Sequence, residues 1–112
     1  MTTPSKKLPQ RGFYYHYKHD PTGSVGNYAY EILGVGHHTE DDCDERDQFM
    51  QVYRPLYKDA YVYRNGKMFD LRPLAMAMEE VEAGCVKMPR FRRITDPAVI
   101  AQLEAIKQEM YG

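Results

Sequence analysis

The sequence has no tryptophan and only two cysteines. Cys43 and Cys85 stand far apart and outside any Cys-x-x-Cys spacing, which argues against a disulfide framework and a structural zinc site. Both read as free thiols in a reducing compartment. Also missing is any apolar run approaching the ~20 residues that cross a bilayer. The start, MTTPSKKLPQR, carries lysines with no apolar segment behind them, so the expected location is cytoplasmic, with no membrane partner. Neither sign of charge dominates. Fifteen Lys and Arg face sixteen Asp and Glu, a net charge of -1, unlike a duplex-binding protein coated in positive charge. No repeat or low-complexity segment appears, and 112 residues suit one domain with one core.

What the chain does hold is tyrosine, ten in all, a residue suited to strands. The stretch Phe49 to Tyr57, FMQVYRPLY, alternates with period two: Met50, Val52, Arg54 and Leu56 on one face, Phe49, Gln51, Tyr53, Pro55 and Tyr57 on the other. Arg54 therefore falls within an apolar face. A guanidinium buried there needs a carboxylate, a carbonyl or a ligand opposite it.

Residues 1 to 11 read as a flexible tail. Phe13 to Lys18 alternates as a half-buried strand, residues 19 to 27 form a Gly- and Pro-rich loop, and Tyr28 to His38 reads as a second strand. Gly34 and Gly36 in that strand suit a bend or bulge. Residues 40 to 47, EDDCDERD, form a solvated loop and lack EF-hand spacing. Asn65-Gly66 between YVYR and KMFDL predicts a hairpin with a type I′ turn. Leu74 to Val81 has helix propensity, Cys85 to Ile94 reads as a last edge strand, and Asp96-Pro97 starts a helix whose stripe is Val99, Leu103, Ile106 and Met110. The expected fold is mainly β: a small antiparallel barrel of five or six short strands with a C-terminal α-helix. Its expected divisions are a tail at 1–11, a barrel at 12–94 and a helix packed on it at 95–112.

The ordered segments GFYYHYK, YEILGVGHHTE, VYRPLY, LRPLAM and PRF resemble the bacterial family catalogued as domain of unknown function 1653. The matching positions are His16, Tyr17 and Lys18; His38, Thr39 and Glu40; Tyr53, Arg54, Leu56 and Tyr57; Arg72 and Pro73; Pro89, Arg90 and Phe91. The resemblance covers about residues 12 to 93. It implies an SH3-like barrel and no assigned activity. Asp70 stands where the family usually has Trp, and Ala77 where it has an aromatic. The loops at 19–27 and 41–48 are longer than the family norm.

These motifs define the candidate site. If the strands pair in meander order, His16, His38 and Arg54 converge, and Arg54, Arg72 and Lys18 form a positive recess for a carboxylate or phosphate, walled by Tyr53 and Tyr57. The expected function is a non-enzymatic binding or interaction domain for an anionic ligand, peptide or nucleotide, with no cofactor. Competing readings stay open. Arg54 can pair internally with Glu31 or Glu40, leaving a scaffold only. His16, His38 and Glu40 can serve as ligands of a metal-assisted enzyme. The PRFRR segment, residues 89 to 93, can bind single-stranded nucleic acid with Phe91 stacked on a base. Neither cysteine sits where its thiolate would be favoured.

Overall fold

The computed structural model describes residues 8–112. The first seven residues of the expected tail lie outside them. Seven strands form: β1 (Gly12–His16), β2 (Ala29–His37), β3 (Phe49–Pro55), β4 (Asp70–Pro73), β5 (Glu80–Ala83), β6 (Val86–Pro89) and β7 (Phe91–Arg93). Among the described residues three α-helices accompany them, α1 (Tyr61–Arg64), α2 (Leu74–Ala77) and α3 (Pro97–Tyr111), and the expected loop at 40–47 contains a 3-10 turn at Glu45–Asp47. The strands make a five-stranded antiparallel sheet in the order β4-β3-β2-β1-β7 and a separate β5-β6 pair. No closed barrel forms among the described residues, because the edges β4 and β7 do not pair. The mainly β class and the C-terminal helix are as expected. The barrel is an open sheet.

Alternation decides what each face carries. Tyr14, His16, Tyr30, Ile32, Gln51, Tyr53, Asp70, Arg72 and Phe91 share one face by register, here the aromatic face. Phe13, Tyr15, Ala29, Glu31 and Arg54 share the other, the helix face. A register shift between Ile32 and Gly34 bulges β2 where the paired glycines suggest one.

Both faces are covered, which is why β1 buries Phe13, Tyr14 and Tyr15 in succession. On the helix face, Leu103 of α3 packs with Phe13, Tyr15, Ala29, Leu56 and Ile94. Asp96 caps α3 by accepting from the Ala98 N–H at 2.9 Å. On the aromatic face, Ala77 of α2 joins Tyr14, Ile32, Tyr53 and Phe91.

The hairpin expected at Asn65-Gly66 is absent. Tyr61–Arg64 is a helical turn, and the dipeptide ends it: Asn65 has φ -106, Gly66 has φ +112, and the Asn65 side chain donates to Tyr61 O at 2.7 Å. Asn-Gly suits a helix C-terminus as well as a hairpin, because both need a residue at positive φ. The tight hairpin lies at Gly84-Cys85, between the paired Ala83 and Val86, with Gly84 at φ +67. Consequently the helix expected to Val81 stops at Ala77, and the expected last strand splits at Arg90 into β6 and β7.

Candidate functional site

Arg54 lies on the helix face, beneath α3. Its Nε donates to Glu31 Oε1 at 2.9 Å, a terminal nitrogen forms an ion pair with the same oxygen at 2.8 Å, and its guanidinium sits 4.1 Å from the Tyr111 ring centroid. Glu31 is 3% exposed and also receives Lys107 at 3.0 Å, with Arg11 at 3.6 Å. Burial alone would raise the Glu31 carboxyl. The hydrogen bonds from Lys107 and Arg54 outweigh it and hold the group below its ordinary value. The cation among apolar neighbours thus meets an internal acid, the pairing with Glu31 weighed above.

Arg72 is on the opposite face. It pairs in register with Gln51, two positions from Tyr53, and its Nε donates to the Tyr53 hydroxyl oxygen at 3.3 Å. Arg54 and Arg72 therefore do not converge. Nor do His16 and His38. The His16 N–H donates to Tyr28 O and the His38 N–H to Gln48 O, so they flank the two ends of β2, nine residues or ~30 Å of strand apart. His38 Nδ1 accepts from the Glu40 N–H at 3.0 Å, beside a recess of about 360 Å³ that His37, Glu40, Asp41 and Cys43 also line. The trio His16, His38 and Glu40 does not assemble, and among the described residues no group of three His, Cys, Asp or Glu is placed to hold a metal ion.

What does gather is centred on His16. Its ring centroid lies 4.5 Å from Tyr17, 5.8 Å from Tyr28 and 5.4 Å from Phe91. Tyr30 continues the cluster, 5.3 Å from Tyr53, 5.6 Å from Tyr57 and 5.9 Å from Phe91. The Tyr30 and Tyr57 hydroxyls are hydrogen-bonded, and burial pushes both phenols above their ordinary range. Four expected residues, His16, Arg72, Tyr53 and Tyr57, thus belong to one aromatic assembly, with Lys18 at its rim.

Electrostatics single out the imidazole. Burial, then Arg72, Arg90 and Lys18, lower the His16 pKa to about 4, so the ring is neutral at pH 7. Its Nδ1 accepts from the Lys18 N–H at 3.3 Å, which leaves the ring proton on Nε2. Arg90 is engaged by Glu79 at 2.6 Å. Among the described residues Arg72, Lys18 and Arg92 make no ion pair. Asp70, across from Tyr53, is raised by burial despite the opposing pull of Arg72.

His16 also reaches a cleft of about 740 Å³ that opens on the helix face, lined by Tyr15, Val25, Arg92, Val99 and Gln102 and by neither Arg72 nor Lys18. His19 is stacked on Tyr15 at 3.5 Å and its Nδ1 meets Asn27 O at 2.7 Å. Tyr28 was not marked by the motifs and Tyr30 only opens the quoted segment YEILGVGHHTE, although in an antiparallel meander the end of β1 must face the start of β2. Phe91, offered as a stacking platform for a base, is 9% exposed and belongs to the aromatic core.

The chain is thus a small open-sheet domain, covered by α3 on one face and α2 on the other, with an aromatic cluster around His16 at one end. It belongs to the family described as Protein of unknown function (DUF1653), whose model matches residues 12–93 and leaves α3 outside. No curated protein and no solved structure gives a significant match.

Proposed function

We propose that this protein is a binding module for a small anion carrying a flat ring, held at the His16 end of the sheet. The observation that carries this reading is the neutral His16 ring set among aromatic rings on the aromatic face, with Arg72 and Lys18 close by. Arg72 and Lys18 supply the attraction, the His16 Nε2–H a directed donor, and Tyr17 and Tyr28 surfaces on which a ring can stack. A histidine with a pKa of about 4 is a weak base at neutral pH, so it serves better as a donor than as a general base. The reading places the scaffold with SH3-like small barrels in opened form, supported by its short strands and the bulge in β2. The free Cys43 and Cys85 suit a cytoplasmic setting.

Phenyl phosphate, inorganic phosphate and phenol, titrated by calorimetry over a salt series, test the proposal. Phenyl phosphate should bind more tightly than either half-ligand, weaken as salt rises, and lose about ten-fold or more in affinity in Arg72→Met, since a charge-assisted hydrogen bond is worth about 1.5–3 kcal/mol. Equal binding of phenyl phosphate by the Arg72→Met variant, or none by the wild type, sinks it.

A further inference from the structure

The cleft of about 740 Å³ on the helix face has no part in the anion site. Tyr15 of β1, Arg92 of β7, Val25 of the loop at 19–27, Pro89 of β6, and Val99 and Gln102 of α3 build it. Its α3 wall lies outside the residues that the family model matches. Tyr15 and Arg92 stand opposite each other in register across β1 and β7, and among the described residues Arg92 makes no ion pair. Burial raises the Tyr15 phenol and the Arg92 guanidinium opposes that rise, as a positive charge near the hydroxyl does. Besides tyrosine, the titratable side chains on the lining are bases, His16, His19 and Arg92, with no Asp or Glu. Asp20, the acid of the adjoining loop, is engaged by Thr22, accepting from its N–H at 2.9 Å and its hydroxyl at 2.7 Å. The cleft therefore presents positive charge without an internal counter-charge, which is complementary to an anion.

The apolar part of the lining is aliphatic. Tyr15 and His19 are stacked on each other at 3.5 Å and His16 and Tyr17 lie 4.5 Å apart, so these rings are engaged pairwise. What remains to meet a ligand is Val25, Met88, Val99 and the prolines at 21 and 89, with Val25 and Val99 resting on the helix-face core. We infer that this cleft is a second binding site, taking a medium-chain alkyl carboxylate, with the carboxylate on the Arg92 guanidinium and the chain along Val25, Met88 and Val99. A guanidinium fork matches both carboxylate oxygens, and apolar clefts of about 300–1,000 Å³ with few polar groups are the usual form of a small-molecule site. The inference is independent of the anion site, since neither Arg72 nor Lys18 is on the lining and an alkyl chain has no ring to stack. His16 borders both, so Arg92 carries the test.

Octanoate, hexanoate, 1-octanol and benzoate, each titrated into 15N-labelled protein, provide it. Octanoate should shift the backbone amides of Val25, Val99 and Gln102 rather than those of Tyr28 and Arg72. It should bind about ten-fold more tightly than hexanoate, since each buried methylene is worth about four-fold. Removing the charge from the ligand, as in 1-octanol, or from the protein, as in Arg92→Met, should each weaken binding about three- to ten-fold, as suits a cation that stays partly solvated. Val99→Glu sets an acid on the cleft wall in the first turn of α3, where the helix dipole favours it, and should abolish octanoate binding. If that variant fails to fold, Arg92→Met alone decides. The inference is overturned if octanoate binds no more tightly than 1-octanol or benzoate, if Arg92→Met binds it as wild type does, or if the shifts centre on Tyr28 and Arg72.

Discussion

Replacing Arg54 by methionine separates a structural cation from a ligand-binding one. Arg54 gives a hydrogen bond and a close ion pair to a carboxylate that is 3% exposed, while being itself only 17% exposed. Removing one partner of a buried ion pair costs about 3–5 kcal/mol when the other is left uncompensated. Here Lys107 stays at 3.0 Å from the second oxygen of Glu31. The expected loss is therefore smaller, about 2–3 kcal/mol, part of it the contact with Tyr111, worth about 0.5–1 kcal/mol. Urea unfolding followed by circular dichroism should show a midpoint lower by about 1–2 M for a chain of this size. In a double-mutant cycle with Glu31→Leu, the pair should couple by at least about 1 kcal/mol. Phenyl phosphate binding should be unchanged, because Arg54 lies on the far side of the sheet. A variant that loses less than about 0.5 kcal/mol yet no longer binds phenyl phosphate would refute this assignment.

Three further outcomes follow from the same geometry. Leu103 is fully buried between α3 and the sheet, so Leu103→Ala should cost about 2–4 kcal/mol in calorimetric stability; a loss under about 1 would mean that α3 is not docked there. At Gly26 a Cβ would stand 2.7 Å from Leu56 O, so Gly26→Ala should destabilise by about 1–3 kcal/mol in urea unfolding, and a neutral result would show that the backbone can yield. His16 has a folded pKa of about 4 against an ordinary 6.5, so the unfolded chain takes up its proton first. Its contribution is therefore complete above 6.5, declines as pH falls from 6.5 to 4, and levels off below. The ceiling of about 3 kcal/mol shrinks to about 1 after solvent screening at a half-exposed ring. His16→Phe should flatten the stability profile in that window relative to wild type, and identical slopes would contradict the pKa assignment.

Much of the fold was legible because alternation is a local property. The strands at Phe13, Tyr28 and Phe49, the need of Arg54 for a counter-charge, and the Asp96-Pro97 start of α3 all follow from neighbours in sequence. Pairing register does not. Whether Arg72 joins Arg54 or Gln51 depends on which residue of β3 stands opposite it, and one step of register exchanges the faces. Strand direction was legible but went unused for the histidines: the end of β1 must lie against the start of β2, which alone keeps His16 from His38. Asn65-Gly66 and Gly84-Cys85 show a different limit. Both dipeptides supply positive φ, and only the surrounding packing decides which closes a hairpin and which ends a helix. Around Glu80 to Ala83, pairing with β6 overrode helix propensity.

The most direct measurement is the titration of the His16 ring by NMR, with and without saturating phenyl phosphate. Alone, the imidazole should titrate near 4. An anion seated beside it should raise that value by about 1 to 3, the effect of an opposite charge within ~4–6 Å. A His16 titration that phenyl phosphate leaves unmoved would contradict the account.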